Sequence, residues 1–204
     1  MTQPGGSQQG RPVTTNAEQI AVIALELFTS TGFDETTMDD VAKAAGVSRR
    51  TAFRYFASKN DLVWGGFEEA LARIHVALSM ESDESRPVNE STWARIEHAQ
   101  LVSLDAAPEW LHVTRLRLRL IAQEPTLIAH GSPKLAGTQQ EIAHFLVRRG
   151  VGSDASDPRV QIVAAAAVAG FFRALITWAE GDEEYPESMV RLASESLGVG
   201  FLRL

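Results

Sequence analysis

Apolar residues along this chain return every three or four positions, the spacing of one face of a helix. Ile20, Ala24, Leu27 and Phe28 form the first such set, following Thr15 and Asn16 and stopping at Gly32. Thr37 precedes Val41, Ala42 and Ala45, with Asp39 and Asp40 where the positive end of a helix favours acids. Gly46 ends that run, and Ser48 stands where a side-chain oxygen caps the next one. From Lys59 to about Met80 the spacing predicts one long helix. Further helices are expected from Ser91 to Leu104, between Pro108 and Pro125, from Pro133 to Gly150, from Pro158 to about Glu180, and from Tyr185 onward. Residues 82–91 and 150–158 read as loops, the second ending in Asp157-Pro158 as cap and first helical position. Arg115 to Leu120 alternate with period two, but between two prolines and among helices they too read as helical. The expectation is an all-α chain without internal repeats.

Residues 37–62 hold the chemistry. Two short helices around a tight turn form a helix-turn-helix, the device that lays its second helix in the major groove of DNA. Between Val41 and Asn60 there are five cations (Lys43, Arg49, Arg50, Arg54 and Lys59) and no acid. Arg49, Arg50, Phe53 and Arg54 fall within an arc of roughly 140°. A guanidinium forks onto a guanine edge or a phosphate, and Phe53 suits a thymine methyl. A solvated face normally mixes both signs; this one does not.

The same stretch resembles the DNA-binding domain of TetR/AcrR-type transcriptional regulators. Their pattern is a Thr opening the second helix, then Ile-Ala, Ala-Gly-Val-Ser, an aromatic run and Ser-Lys-Glu. Here it is met by Thr37, Val41-Ala42, Ala45-Gly46-Val47-Ser48, Tyr55-Phe56 and Ser58-Lys59. The wording GRP near the start, RRTAFRYF and SKNDLVWGGF is similar to the subgroup that regulates mycofactocin systems. The resemblance implies a flexible arm over 1–13, a three-helix helix-turn-helix domain over 14–62, and a helical ligand-binding and dimerisation domain over 63–204. It places DNA contacts at Thr37, Lys43, Ser48, Arg49, Arg50, Thr51, Phe53, Arg54, Tyr55 and Lys59. Arg49 and Arg50 are expected on bases, and Thr37, Tyr55 and Lys59 on phosphates. Two departures stand out: Arg50 replaces a common Gly, and Phe53 replaces a common Tyr, losing a hydroxyl that could reach a phosphate.

Charge and composition narrow the class. The chain carries −7, from 19 basic and 26 acidic residues. Residues 1–63 hold −1 of this and the remainder −6. Exposed charges are largely screened beyond about 8–10 Å at physiological salt, so local cation density decides DNA contact. A general nucleic-acid coat protein would be basic throughout. With no cysteine, disulfides and thiolate metal sites are excluded, which fits a reducing cytoplasm. The five histidines lack His-Glu-x-x-His spacing, and no glycine-rich phosphate loop occurs. No enzyme, catalytic residue, metal or cofactor is expected. The first twelve residues lack the apolar core of a signal peptide, and no run approaches the roughly 20 apolar residues that span a bilayer.

The body reads as a sensor. Trp93, Leu101, Trp110, Phe145, Phe171 and Phe172 are candidates to line an apolar pocket, with Arg115 and Arg119 at its mouth. The competing reading is ordinary core, with the two arginines paired to acids of the body. Small residues from Ala164 to Gly170 would let another helix approach closely. By resemblance the chain is a homodimeric repressor on a palindromic DNA operator, released by a hydrophobic or amphiphilic effector such as an acyl-CoA. The alternative is a constitutive DNA-binding or architectural dimer. Arg11-Pro12 suggests an arm that reaches the minor groove, against an idle tail.

Overall fold

Caps fix where the first helices begin and end. In the computed structural model, which describes residues 17–80, 91–104 and 108–201, α1 spans Ala17–Thr31 and α2 spans Met38–Ala44. The Thr37 hydroxyl accepts from the Asp40 amide, and the Asp40 carboxylate accepts from the Thr37 amide at 2.9 Å. This reciprocal box opens α2. At the other end Gly46 adopts a left-handed φ of 66°, so its N–H reaches Lys43 O and that of Val47 reaches Ala42 O. Those two bonds satisfy carbonyls that the helix end leaves open. Ser48 then caps α3, Arg49–Tyr55, through the Thr51 amide. The Arg11 arm, the Thr15/Asn16 start and residues 82–90 lie outside the described residues.

Beyond α3 the order is α4 (Lys59–Val63), α5 (Phe67–Ser79), α6 (Thr92–Ser103), α7 (Pro108–Gln123), α8 (Pro125–Arg148), α9 (Pro158–Glu180) and α10 (Glu187–Phe201). Two expectations are corrected. The long helix from Lys59 to Met80 is two helices, broken at Trp64-Gly65-Gly66, where Gly66 turns to φ 80° and starts α5. Pro133 does not open a helix; it lies inside α8, which begins at Pro125. There it withholds the N–H that would serve the carbonyl four residues earlier. Arg115 to Leu120 are helical, within α7.

Three apolar clusters hold these helices. The first joins Ile20, Leu25, Phe28, Val41, Ala52 and Leu62 to Trp64, Val113, Leu120, Ile121 and Leu127. The helix-turn-helix therefore shares a continuous core with α7 and α8. The second lies among α5, α6, α8 and α9, around Ile74, Ile96, Ile142, Leu146 and Val163. The third packs Leu111 and Leu118 of α7 against Leu175, Trp178 and Val190. At Gly170 α10 approaches α9 closely, since a Cβ there would collide with Leu197. Contrary to the sequence count, α9 is by length and composition apolar enough to cross a membrane. Half of that span is buried against neighbouring helices, which makes it a core helix.

Candidate nucleic-acid interface

The basic face predicted on α3 is exposed. Arg49, Arg50, Phe53, Arg54 and Tyr55 all face solvent, while Ala52 anchors the helix to the core. Their commitments differ. Arg49 pairs with Asp39 of α2 at 3.0 Å and lies over the Phe53 ring at 5.3 Å. Arg54 donates to the Tyr55 hydroxyl at 3.2 Å and covers its ring at 4.8 Å. Thr51 shares a hydroxyl bond with Ser48 at 2.8 Å. Lys59 turns inward: its ammonium donates to Phe33 O at 2.6 Å and sits 4.5 Å over that ring. Two N–H donors of that ammonium are left for other partners. Hydrogen bonds from Thr37 hold the Asp40 carboxyl below its ordinary value of 3.8, fixing a charge at the positive end of α2.

The eight residues expected at a ligand pocket do not converge. Trp110 borders the first cluster, Trp93 borders the second with Phe145 buried in it, and Leu101 and Phe171 border the third. Phe172 touches both the first and the third. The Trp93 indole donates to Ser194 O at 2.9 Å, tying α6 to α10. Among the described residues Arg115 and Arg119 form no ion pair with body acids; they serve the carbonyls at the carboxyl end of α9. A groove of about 420 Å³ does open between α5 and α6, but it is lined by Ala72, Val76, Met80 and Val102 beside Arg73, Arg95 and His98. None of the eight lines it.

With this geometry in hand, comparison with known proteins is decisive. The profile for bacterial regulatory proteins of the TetR family matches residues 20–63, and that of the MftR C-terminal domain matches residues 90–201. The chain belongs to the TetR family. It is 33% identical to the mycofactocin biosynthesis transcriptional regulator MftR of Mycobacterium tuberculosis over 201 residues, 98% of either chain. FadR of Thermus thermophilus, solved with lauroyl-CoA, aligns with a TM-score of 0.55 at 22% identity, over 87% of this chain and 91% of that one. FadR of Bacillus subtilis, solved with stearoyl-CoA, aligns at 0.58 and 19%, over 88% and 96%. At those identities the structures attest the fold.

In this TetR-family transcriptional regulator the structure shows contacts at the basic helix and behind it that the sequence did not disclose. Asp39 positions Arg49, and only its place ahead of the basic helix hints at this. The seam between the TetR helix-turn-helix and the body is built from Asp61, Trp64, Arg117, His130 and Gly131. His130 meets Asp61 at 3.1 Å, and the Trp64 indole donates to Leu127 O at 2.9 Å. Arg117 lies under Gly65 and Gly66 with its Nε buried and unpartnered. Burial draws its guanidinium below the usual arginine range, against the pull of Glu69 and Glu18. The Trp-Gly-Gly run was the available signal.

Proposed function

We propose that the chain is a repressor that binds a palindromic operator as a homodimer and is released by a hydrophobic or amphiphilic effector. Residues 14–62 are its DNA-binding head and 63–204 its sensing and dimerising body. One observation carries the reading: an exposed, capped helix on which Arg50 alone among its arginines makes no bond or ring contact among the described residues. That guanidinium is free to fork onto a base pair. Arg49 is the second reader, released from Asp39 on docking. Lys43, Ser48, Thr51, Tyr55, Arg54 and the remaining donors of Lys59 hold phosphates, with Thr37 at the amino end of α2.

Support for the dimer lies on α9, where Ile162, Ala165, Ala169 and Arg173 are exposed along one face, and on α10, where Leu192 is exposed. Two-fold pairing is the commonest way such faces are covered. Support for the effector comes from the two FadR proteins solved with acyl-CoA, which share the fold. Leu101, Phe171 and Phe172 border the α7–α9 cluster and Trp110 the neighbouring one that Phe172 also touches, and an acyl chain is proposed to enter there. Full release needs about 10⁴-fold preference for one arrangement, about 5.5 kcal/mol. At ~0.8 kcal/mol per CH₂, chain burial supplies it.

Acyl-CoAs of rising chain length, titrated against the protein–operator complex in a mobility shift, test this. Release should strengthen with length. Binding without loss of operator affinity overturns the release, and no binding favours a constitutive dimer.

A further inference from the structure

We infer that Trp64 is the positioning residue through which the body sets the angle of the head, and hence the operator spacing; this rests on the two-headed operator reading above. The indole lies at the break between α4 and α5, and it is 6% exposed. Its position is fixed from four sides. Nε1 donates to Leu127 O of α8 at 2.9 Å. The Phe172 ring of α9 stacks on it at 6.1 Å and 14°, and Phe67 of α5 meets it edge-on at 5.6 Å. The fourth side is a missing side chain: a Cβ at Gly131 would collide with Cζ2 of the indole. The indole thus sits in a socket that α8 provides only because residue 131 is glycine.

What hangs on this socket is the reading helix. Leu62 and Val63, immediately before Trp64, are buried in the core that holds Ala52 of α3, and Asp61 ties the same short helix to His130. On the body side the chain leaves through Gly65 and Gly66, a link too compliant to hold an angle by itself. Arg117 lies against that link, while the indole fixes it by shape. Pro133, two residues past the socket, lies inside the same helix and supplies no backbone N–H there. Contact with Phe172 connects the socket to the seam proposed for the effector.

The test uses the full chain. An operator is selected from random duplexes with the unaltered protein, and its spacer is then changed one base pair at a time. Gly131→Ala places a methyl in the indole's space, so the preferred spacer should move and affinity for the original operator fall about tenfold, with its salt dependence unchanged. Adding Trp64→Phe, whose smaller ring makes room, should return the optimum to the original spacer, with a shallower preference because the bond to Leu127 O is gone. An unaltered optimum in Gly131→Ala overturns the inference, because lost stability lowers binding to every spacer alike. If Gly131→Ala does not fold, Trp64→Phe alone decides. Without the bond to Leu127 O its spacer preference should flatten, and a preference as sharp as the original's overturns the inference. An unaltered protein indifferent to spacer length overturns the two-headed reading, and this inference with it.

Discussion

Arg115 closes the carboxyl end of α9 around Trp178: its guanidinium carbon lies 4.4 Å over the indole, and Nη1 donates to Gly181 O at 2.6 Å. Further bonds reach Trp178 O and Glu183 O. Carbonyls at a helix end carry partial negative charge, so a cation there both bonds and neutralises. Replacing Arg115 with Ala should lower unfolding stability by about 1.5–3 kcal/mol, the scale of hydrogen bonds to a charged group. Arg115→Lys should recover less than half, lacking the planar fork. Urea unfolding with an unchanged m-value checks both.

Arg50 and Lys43 should separate specificity from affinity. Arg50→Ala is expected to cost about 1–3 kcal/mol on the selected operator and to relax preference at one base position. Lys43→Ala should weaken every duplex alike and lower the salt slope by about one. Binding titrations at several salt concentrations, with operator variants, distinguish the two. An Arg50→Ala protein with unchanged preference removes Arg50 from base reading.

Acid should undo α2 before the body helices. The folded Asp40 carboxyl lies below 3.8 because Thr37 bonds its ionised form. Its contribution is therefore complete above the unfolded value and fades as pH falls through the lower folded one. Thr37→Ala should remove about 1 kcal/mol of capping at neutral pH and flatten this acid dependence. Amide exchange across residues 38–44, followed from pH 6 to pH 3, is the measurement.

Dimerisation should depend on α9 and α10. Ala169→Arg and Leu192→Glu each place a charge on an exposed, uncharged position, so neither should unfold the monomer. Each should raise the dimer dissociation constant at least about tenfold, since an unpaired charge in an apolar contact is costly. Sedimentation velocity reads the change, and unaltered dimers would move the interface elsewhere.

How far the sequence alone carries can be seen in single residues. Gly46 and Ser48 announce a turn because each has a local backbone task, a left-handed φ and an amide to cap. The Trp64 break passed unnoticed because apolar spacing runs on through Leu71, Ile74 and Leu78, and periodicity registers a face rather than continuity. Pro133 misled for the opposite reason: proline suits a first turn, yet α8 keeps it inside, one backbone donor short. The basic face of α3 was legible because exposure and charge are written in one short segment. The pocket was not, since aromatic residues on four helices say that something is buried without saying beside what. Arg115 and Arg119 were expected to seek acids, but their partners are main-chain carbonyls, which carry no letter in a sequence.

Arg73, Arg95, Arg115, Arg119 and Arg148 all direct their guanidinium groups to carbonyls near the ends of α5, α6 and α9. Five of the body's cations are thus committed to helix ends, and its excess of acids, a net −6, defines the field it projects at a distance. The head keeps its arginines outward. The molecule is thus asymmetric in charge, far less negative toward the reading surface than in the body, and a polyanion turns such a molecule before touching it. Encounters with the duplex begin head first, and this alignment fades as salt shortens the reach of the field.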